Sequence, residues 1–483
     1  MSNHEPALVT RRASGPRGRV LLGSLREFRS DRFLATMERA RLEHGDVVRF
    51  RVGRRTLHVV SNPDLAHEVL VKRAPEFPRI QEPGKPIGLA LVIGTGLLTD
   101  PDHDSWLVRR RMIQPMFHRQ RIAAMADEMT AAGERMLRRW EERYAPGTVI
   151  DVHAEMMRVT LDVINRTMFG ADVMGDVDRV GAAVTVALRY ASNRFQSPFD
   201  LPRWLPTPAN RRFREAVATL DGVVLGLIQA RREAGPGRGD LLDLLLTAED
   251  AETGERMTDE EVRDEVKGIF GAGHETTANA LTWTFELLSE HPATAATLRS
   301  EVSGVLGGRP PTGADLPRLP FTRQVFEEAL RLSPPVPVVA RRVVGATTLG
   351  DYDLPAGSRV LLSISNIHRH PTFWPEPDVF DPDRFSPERA AERHRAAYLP
   401  FGAGQHLCIG NSFALMEGPL LLATIAQRYD LRLVPGRPIE REVAITMRPK
   451  GGLPMTVQPT PHAADDGAEE PRSTERPAVA VAG

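Results

Sequence analysis

The decapeptide FGAGQHLCIG, Phe401–Gly410, holds the only cysteine of the 483-residue chain. A lone thiol among three glycines has two readings, a small buried hydrophobe in a turn or a metal ligand. Cys408 stands just before IGNSFALMEGPLLLATIAQRY, a strong helical pattern. At a helix N-terminus, unpaired amides and the positive end of the dipole favour the thiolate, which is the form that binds metal. Gly402, Gly404 and Gly410 let the backbone close on a bulky planar group and turn its amides toward the sulfur. One cysteine supplies neither an iron–sulfur cluster nor a structural zinc site, which need several ligands.

Working outward, the chain is near neutral, with 62 basic and 63 acidic side chains and a formal net charge of −1. That balance gives no global reason to expect nucleic acid or an anionic membrane. A single cysteine permits no internal disulfide and suits a reducing compartment. No apolar run is long enough for a signal peptide or membrane anchor, so a soluble, cytoplasmic protein is expected. Residues 1–16 and 461–483 are rich in charge, Pro, Gly and Ala and poor in core formers, and are expected to be a flexible N-terminus and a disordered tail. They flank one large domain, 17–460.

Within that domain, DVVRFRVGRRTLHVVS reads as a hairpin turning at Gly53-Arg54-Arg55, followed by a helix capped by Asn62. From about 103 to 306, apolar residues recur at three- and four-residue steps. Short strand signals return after 340, in ARRVVGATTLGDYDLPAGSRVLLSI. The expected fold class is mainly α with small β-sheets.

Two further segments carry chemistry. EVKGIFGAGHETTANALTWTFELL has helical spacing yet contains Gly268, Gly271, Gly273 and the pair Thr276-Thr277. Glycine inside a helix costs roughly 1 kcal/mol against alanine, so several together suggest close approach by a ligand or a bend. A threonine there bonds back to the carbonyl four residues earlier, and an acid beside a hydroxyl suits ordered proton delivery. Taken alone, the segment reads rather as a packing helix with an exposed Glu275. In FEEALRLSPPVPVVARR, Glu328 and Arg331 share one helix face.

Together these motifs resemble the cytochrome P450 family. FGAGQHLCIG is similar to its haem-binding loop, Phe-x-x-Gly-x-Arg-x-Cys-x-Gly, with His406 where the pattern has arginine. The resemblance implies a cytochrome P450 fold with haem b between a distal and a proximal helix. It places Cys408 as the axial thiolate, which pushes electron density toward O–O cleavage, with Phe401, Gly402 and His406 around the cofactor. AGHETT resembles the oxygen-activation signature and implies catalytic roles for Thr276 and Glu275, with Ala272 and Gly273 lining the oxygen groove; His274 has no assigned role. SWLVRRRM resembles the Trp-x-x-x-Arg of the third helix and implies Trp106 and Arg110 as cofactor contacts. Arg341 or Arg342 supplies another guanidinium to a propionate; alternation along a strand lets one face the haem, and the count from LGDYDLPAG favours Arg341. Glu328, Arg331 and Arg384, the last in FDPDRF, imply a buried ion network securing the cysteine loop. His368 and His370 read as turn residues.

The implied activity is a monooxygenase inserting one atom of dioxygen into a lipophilic small molecule of secondary metabolism. No flavin domain or dinucleotide-binding repeat is evident, so electrons are expected from a ferredoxin and ferredoxin reductase. Arg109, Arg111, His118, Arg119 and Arg121 read either as a docking cluster for an acidic ferredoxin or as a solvated helix face. Substrate contacts are expected from residues 80–98, 190–206, 336–339, Phe270 and the neighbourhood of Thr446.

Overall fold

Alternating residues at 47–60 form the antiparallel strands Val47–Val52 and Arg55–Val60, with Val48 opposite Val59. The computed structural model describes residues 11–17, 24, 32–53, 55–81, 86–170, 177–196, 202–235, 237 and 239–460. The expected tail 461–483 and residues 1–10 lie outside them. Arg11 donates its backbone N–H to the Asp351 carbonyl, and Gly15 runs so close to Arg49 that a Cβ there would lie 1.9 Å from the Arg49 oxygen.

The hairpin extends into a four-stranded sheet in which Arg55–Val60 pairs in parallel with Arg359–Ser363, and the latter pairs antiparallel with Val338–Arg342. Asn62 caps the next helix, its side-chain oxygen accepting from the amides of Asp64 and Leu65. A three-stranded sheet joins Val149–Asp151, Pro454–Pro459 and Tyr429–Leu433. Two-stranded sheets pair Thr347–Leu349 with Tyr352–Leu354 and Arg441–Val443 with Met447–Pro449, and the long helices supply one large apolar core.

Three helices position the site. Asp259–Glu290 starts on a capping box, Thr258 with Glu261, and runs through the middle of the molecule. Val152–Phe169 packs against it so closely that a Cβ on Gly273 would lie 2.4 Å from Ile164 Cδ1. Thr160 closes the same contact by donating its hydroxyl to the His274 carbonyl at 3.0 Å. The third helix, Asn411–Arg428, leaves directly from the cysteine loop.

Candidate active site

The cysteine loop is shaped by glycine. Gly402 and Gly404 have φ of +73° and +71°, and a Cβ on Gly404 would lie 2.2 Å from the Leu70 carbonyl oxygen. Only glycine lets the loop lie against that backbone. The Cys408 amide donates to the Phe401 carbonyl at 3.0 Å, closing the loop across its width. The sulfur is reachable from one side, since Cys408 is exposed, while protein crowds it on the others. Burial therefore pushes the thiol above its usual value, opposed by the Gly410 amide and the Arg110 charge. The helix end favours the anion as expected, but desolvation outweighs it.

Beside the cysteine lies a cluster of cationic and aromatic groups. Arg110 donates to the Leu407 carbonyl at 3.1 Å. His406 meets the buried Trp106 edge-on at 4.3 Å, and Arg79 stacks over the same indole at 5.7 Å. Arg341 is buried and, among the described residues, bonds only the adjacent Ala340 carbonyl, at 3.0 Å. Among the described residues none of Arg79, Arg110 and Arg341 forms an ion pair. Burial lowers Arg79 and Arg341 to about 10. It also lowers His406 to about 3, aided by Arg79, Arg341, His103 and Arg110. Buried Trp106 Nε1 and His406 Nδ1 have no hydrogen-bond partner. Buried Arg341, half-buried Arg79 and Arg110 and the orphaned ring nitrogens together call for an anion. The two propionates of a haem meet that need, so the residues present fit the cofactor.

On the distal side, residues 271–273 and Thr276 are half-buried within an otherwise buried stretch, so this face borders open space. The Thr276 hydroxyl donates to the Ala272 carbonyl at 2.8 Å. Glu275 is not on an exposed helix face. It is buried, its Oε1 accepts the Thr446 hydroxyl at 2.7 Å, and burial raises its pKa against the pull of Thr446 and Arg448. Gly273 owes its missing side chain to Ile164. His274 is wholly buried and donates or accepts at Nδ1 with the Phe270 carbonyl, 2.6 Å away.

Behind the cysteine, Glu328 and Arg331 are both fully buried and form a two-pronged pair at 2.7 Å. Arg384 lies 3.4 Å from Glu328, and its guanidinium caps the carbonyls of Pro375 and Glu376. His368 does more than turn the chain. Its Nδ1 bonds the Arg331 carbonyl, and its Nε2 accepts the Leu399 amide at 2.8 Å, just ahead of Phe401. His370 holds Asp46 at 3.0 Å, at the entrance to the first strand.

The expected docking cluster is smaller than its sequence suggests. Arg109 turns inward to Asp100, Glu261 and Glu265, and Arg111 pairs with Asp250 and Glu252. His118, Arg119 and Arg121 remain exposed. A small cavity of about 40 Å³ adjoins the long helix at Phe270, Gly271 and Glu275. Its other walls include Val92, Ile93, Val180, Val184, Leu188 and Val224. Residues 180, 184 and 188 form a one-face aliphatic stripe at four-residue steps, a signal the sequence offered; of the expected wall segments, 336–339 and the described part of 190–206 do not line this cavity. Arg79 carried no motif and was missed.

The chain matches the family model Cytochrome P450 over residues 13–454. It is 39% identical over 422 residues to Cyclooctatin synthase of Streptomyces melanosporofaciens, covering 86% of this chain and 88% of the relative. It is 38% identical over 422 residues to Cyclooctat-9-en-7-ol 5-monooxygenase of the same organism, covering 86% and 89%. Pentalenene oxygenase of Streptomyces avermitilis is 34% identical over 409 residues, covering 83% and 87%. The crystal structure of the cytochrome P450DA heme domain superposes with a TM-score of 0.85 at 29% identity, covering 94% of this chain and 99% of that one. Among the described residues no helix is long and apolar enough to cross a membrane.

Proposed function

The chain belongs to the cytochrome P450 family and is a monooxygenase; on that premise we propose that it oxygenates a cyclic terpenoid hydrocarbon, with Cys408 as the thiolate ligand of haem b. The compounds in the relatives' names are terpenoid, and the aliphatic cavity against the long helix is the observation that carries the choice for this chain. Branched alkyl walls bury hydrocarbon at about 25 cal/mol per Å² and offer few polar groups to orient a polar substrate.

Bound haem supplies the chemistry that splits dioxygen and places one atom on a carbon of the substrate. Arg110 and Arg341, with the structurally added Arg79, would hold its propionates, with the unpartnered ring nitrogens of Trp106 and His406 beside them. Phe401 and Gly402 shape the loop around Cys408. Thr276 presents a hydroxyl next to Ala272 and Gly273, and Glu275 holds the proton that Thr276 passes on. Glu328, Arg331 and Arg384 keep the loop rigid. Electrons come from a ferredoxin and its reductase, with docking narrowed to the exposed His118, Arg119 and Arg121. Residues 17–460 form the catalytic domain.

Titration of the ferric holoprotein with cyclic terpene hydrocarbons and, separately, with fatty acids tests the substrate class. Terpenes should displace the haem absorption maximum at micromolar concentrations. A response to fatty acids alone would overturn the substrate assignment. Absence of the strongly red-shifted band of the reduced carbon monoxide complex in haem-loaded protein would overturn the Cys408 assignment.

A further inference from the structure

A line of four side chains leads away from the distal helix toward the surface. The Thr446 hydroxyl, in the turn between strands Arg441–Val443 and Met447–Pro449, donates to Glu275 Oε1 at 2.7 Å. A hydroxyl has one proton, so Thr446 must act as acceptor toward its other neighbour, and it does: Asn279 Nδ2 donates to it at 3.3 Å. Asn279, fully buried one turn beyond Glu275, offers its oxygen in turn to His153 Nε2 at 3.1 Å. That contact requires the proton on Nε2. His153 is half-buried in the first turn of Val152–Phe169, next to the exposed Asp151.

Every donor in the line points the same way. Its dipoles therefore present their positive ends to the Glu275 carboxyl, stabilising the carboxylate that remains after a proton is given up. Burial of Glu275 acts in the opposite direction. Arg448 also favours the Glu275 carboxylate through its charge, while the remaining charged groups facing this region are paired or neutral. Arg448 pairs with Glu442 at 3.2 Å. Lys267, two turns earlier on the long helix, pairs with Asp221 and Asp264. His274 is neutral, lowered to about 4 by burial. Glu417, on Asn411–Arg428, faces Thr277 and is kept protonated by burial.

We propose that Thr446, Asn279 and His153 are positioning residues that fix the orientation and acidity of the Glu275 carboxyl at the edge of the substrate cavity. The inference rests on the reading of Glu275 as the proton donor, and its test is built to separate the two. Infrared difference spectra of the ferric holoprotein, titrated with acid, report the Glu275 carboxylic C=O stretch, assigned as the band that Glu275→Gln removes. Losing a hydrogen bond to a charged group shifts a titration by about one pH unit or more. Thr446→Val should therefore raise the midpoint by about one pH unit, Asn279→Leu should raise it by a smaller step because the Thr446 bond survives, and Thr446→Ser should restore it. His153→Phe should raise it by a smaller step, reversed in His153→Gln, which keeps a donor. These last two lie at the half-buried end and decide the matter if Thr446→Val fails to take up haem. An unchanged midpoint in Thr446→Val and in His153→Phe would overturn the proposal. Product formed per electron pair is measured alongside. If Glu275→Gln leaves it unchanged, the proton-donor role falls, while the chain is still judged on the titration.

Discussion

Arg331 grips both carboxylate oxygens of Glu328 at 2.7 Å, and its remaining donors go to the carbonyls of His368, Pro377 and Val379. One guanidinium thus ties the helix Pro320–Leu332 to the segment that precedes the cysteine loop. Removing either partner leaves a bare charge in a dry interior, which costs about 3–5 kcal/mol. Arg331→Ala and Glu328→Ala should therefore yield protein that unfolds at lower denaturant and lacks haem. Arg331→Lys should fail too, because an ammonium cannot reproduce the fork. Haem-to-protein ratio and urea midpoints check this; full haem occupancy in Arg331→Ala would refute it.

The cation cluster predicts graded cofactor loss. Arg79, Arg110 and Arg341 lack acidic partners among the described residues, and the proposed function assigns them to the haem propionates. A charged hydrogen bond contributes about 1.5–3 kcal/mol, and Arg341→Gln and Arg79→Gln should each speed haem transfer to a scavenger protein by about tenfold or more. Arg111→Gln, whose residue is paired with Asp250, should leave the transfer rate alone.

Acid should unfold the protein through its buried histidines. Burial lowers His58 and His274 to about 4 and His368 to about 3. The unfolded chain protonates these rings near 6.5 while the folded protein resists. Stability therefore falls as pH drops from about 6.5 to 4, by up to about 1.4 kcal/mol per pH unit for each ring. His58 contributes without any compensating bond, since neither ring nitrogen has a partner. His58→Leu should flatten this limb by one proton's worth, measured as urea midpoints between pH 4 and 7, with little loss at pH 7.

Glu417 gives the opposite limb. It is fully buried, and burial raises it to about 8. Unfolding releases its proton between about 4.5 and 8, so stability declines as pH rises across that window. Glu417→Gln should remove this decline; an unchanged slope would show that the carboxyl is already ionised in the folded protein.

Gly273 makes a steric prediction. Gly273→Ala forces a methyl against Ile164 and should cost about 1–3 kcal/mol. Ile164→Ala costs stability by itself, so the test is the double-mutant cycle: the pair should lose less than the sum of the singles.

What the sequence determined by itself is local. The glycines around Cys408, the Asn62 cap, the hairpin at 47–60 and the Glu328–Arg331 spacing each act over a few residues, where backbone geometry and helix periodicity leave few choices. The four-residue stripe at 180, 184 and 188 was legible for the same reason, though a helix face does not announce which cavity it borders. Tertiary structure decided the rest. Arg109, Arg110 and Arg111 are neighbours in sequence, yet successive residues on a helix point about 100° apart. One is buried among acids, one reaches the cysteine loop and one pairs at the rim. Arg79 and Arg341 meet beside Trp106, and His153, Asn279 and Thr446 line up behind Glu275, from segments far apart in the chain. No spacing rule reaches across such distances, because only packing of whole helices and sheets brings those side chains within hydrogen-bond range.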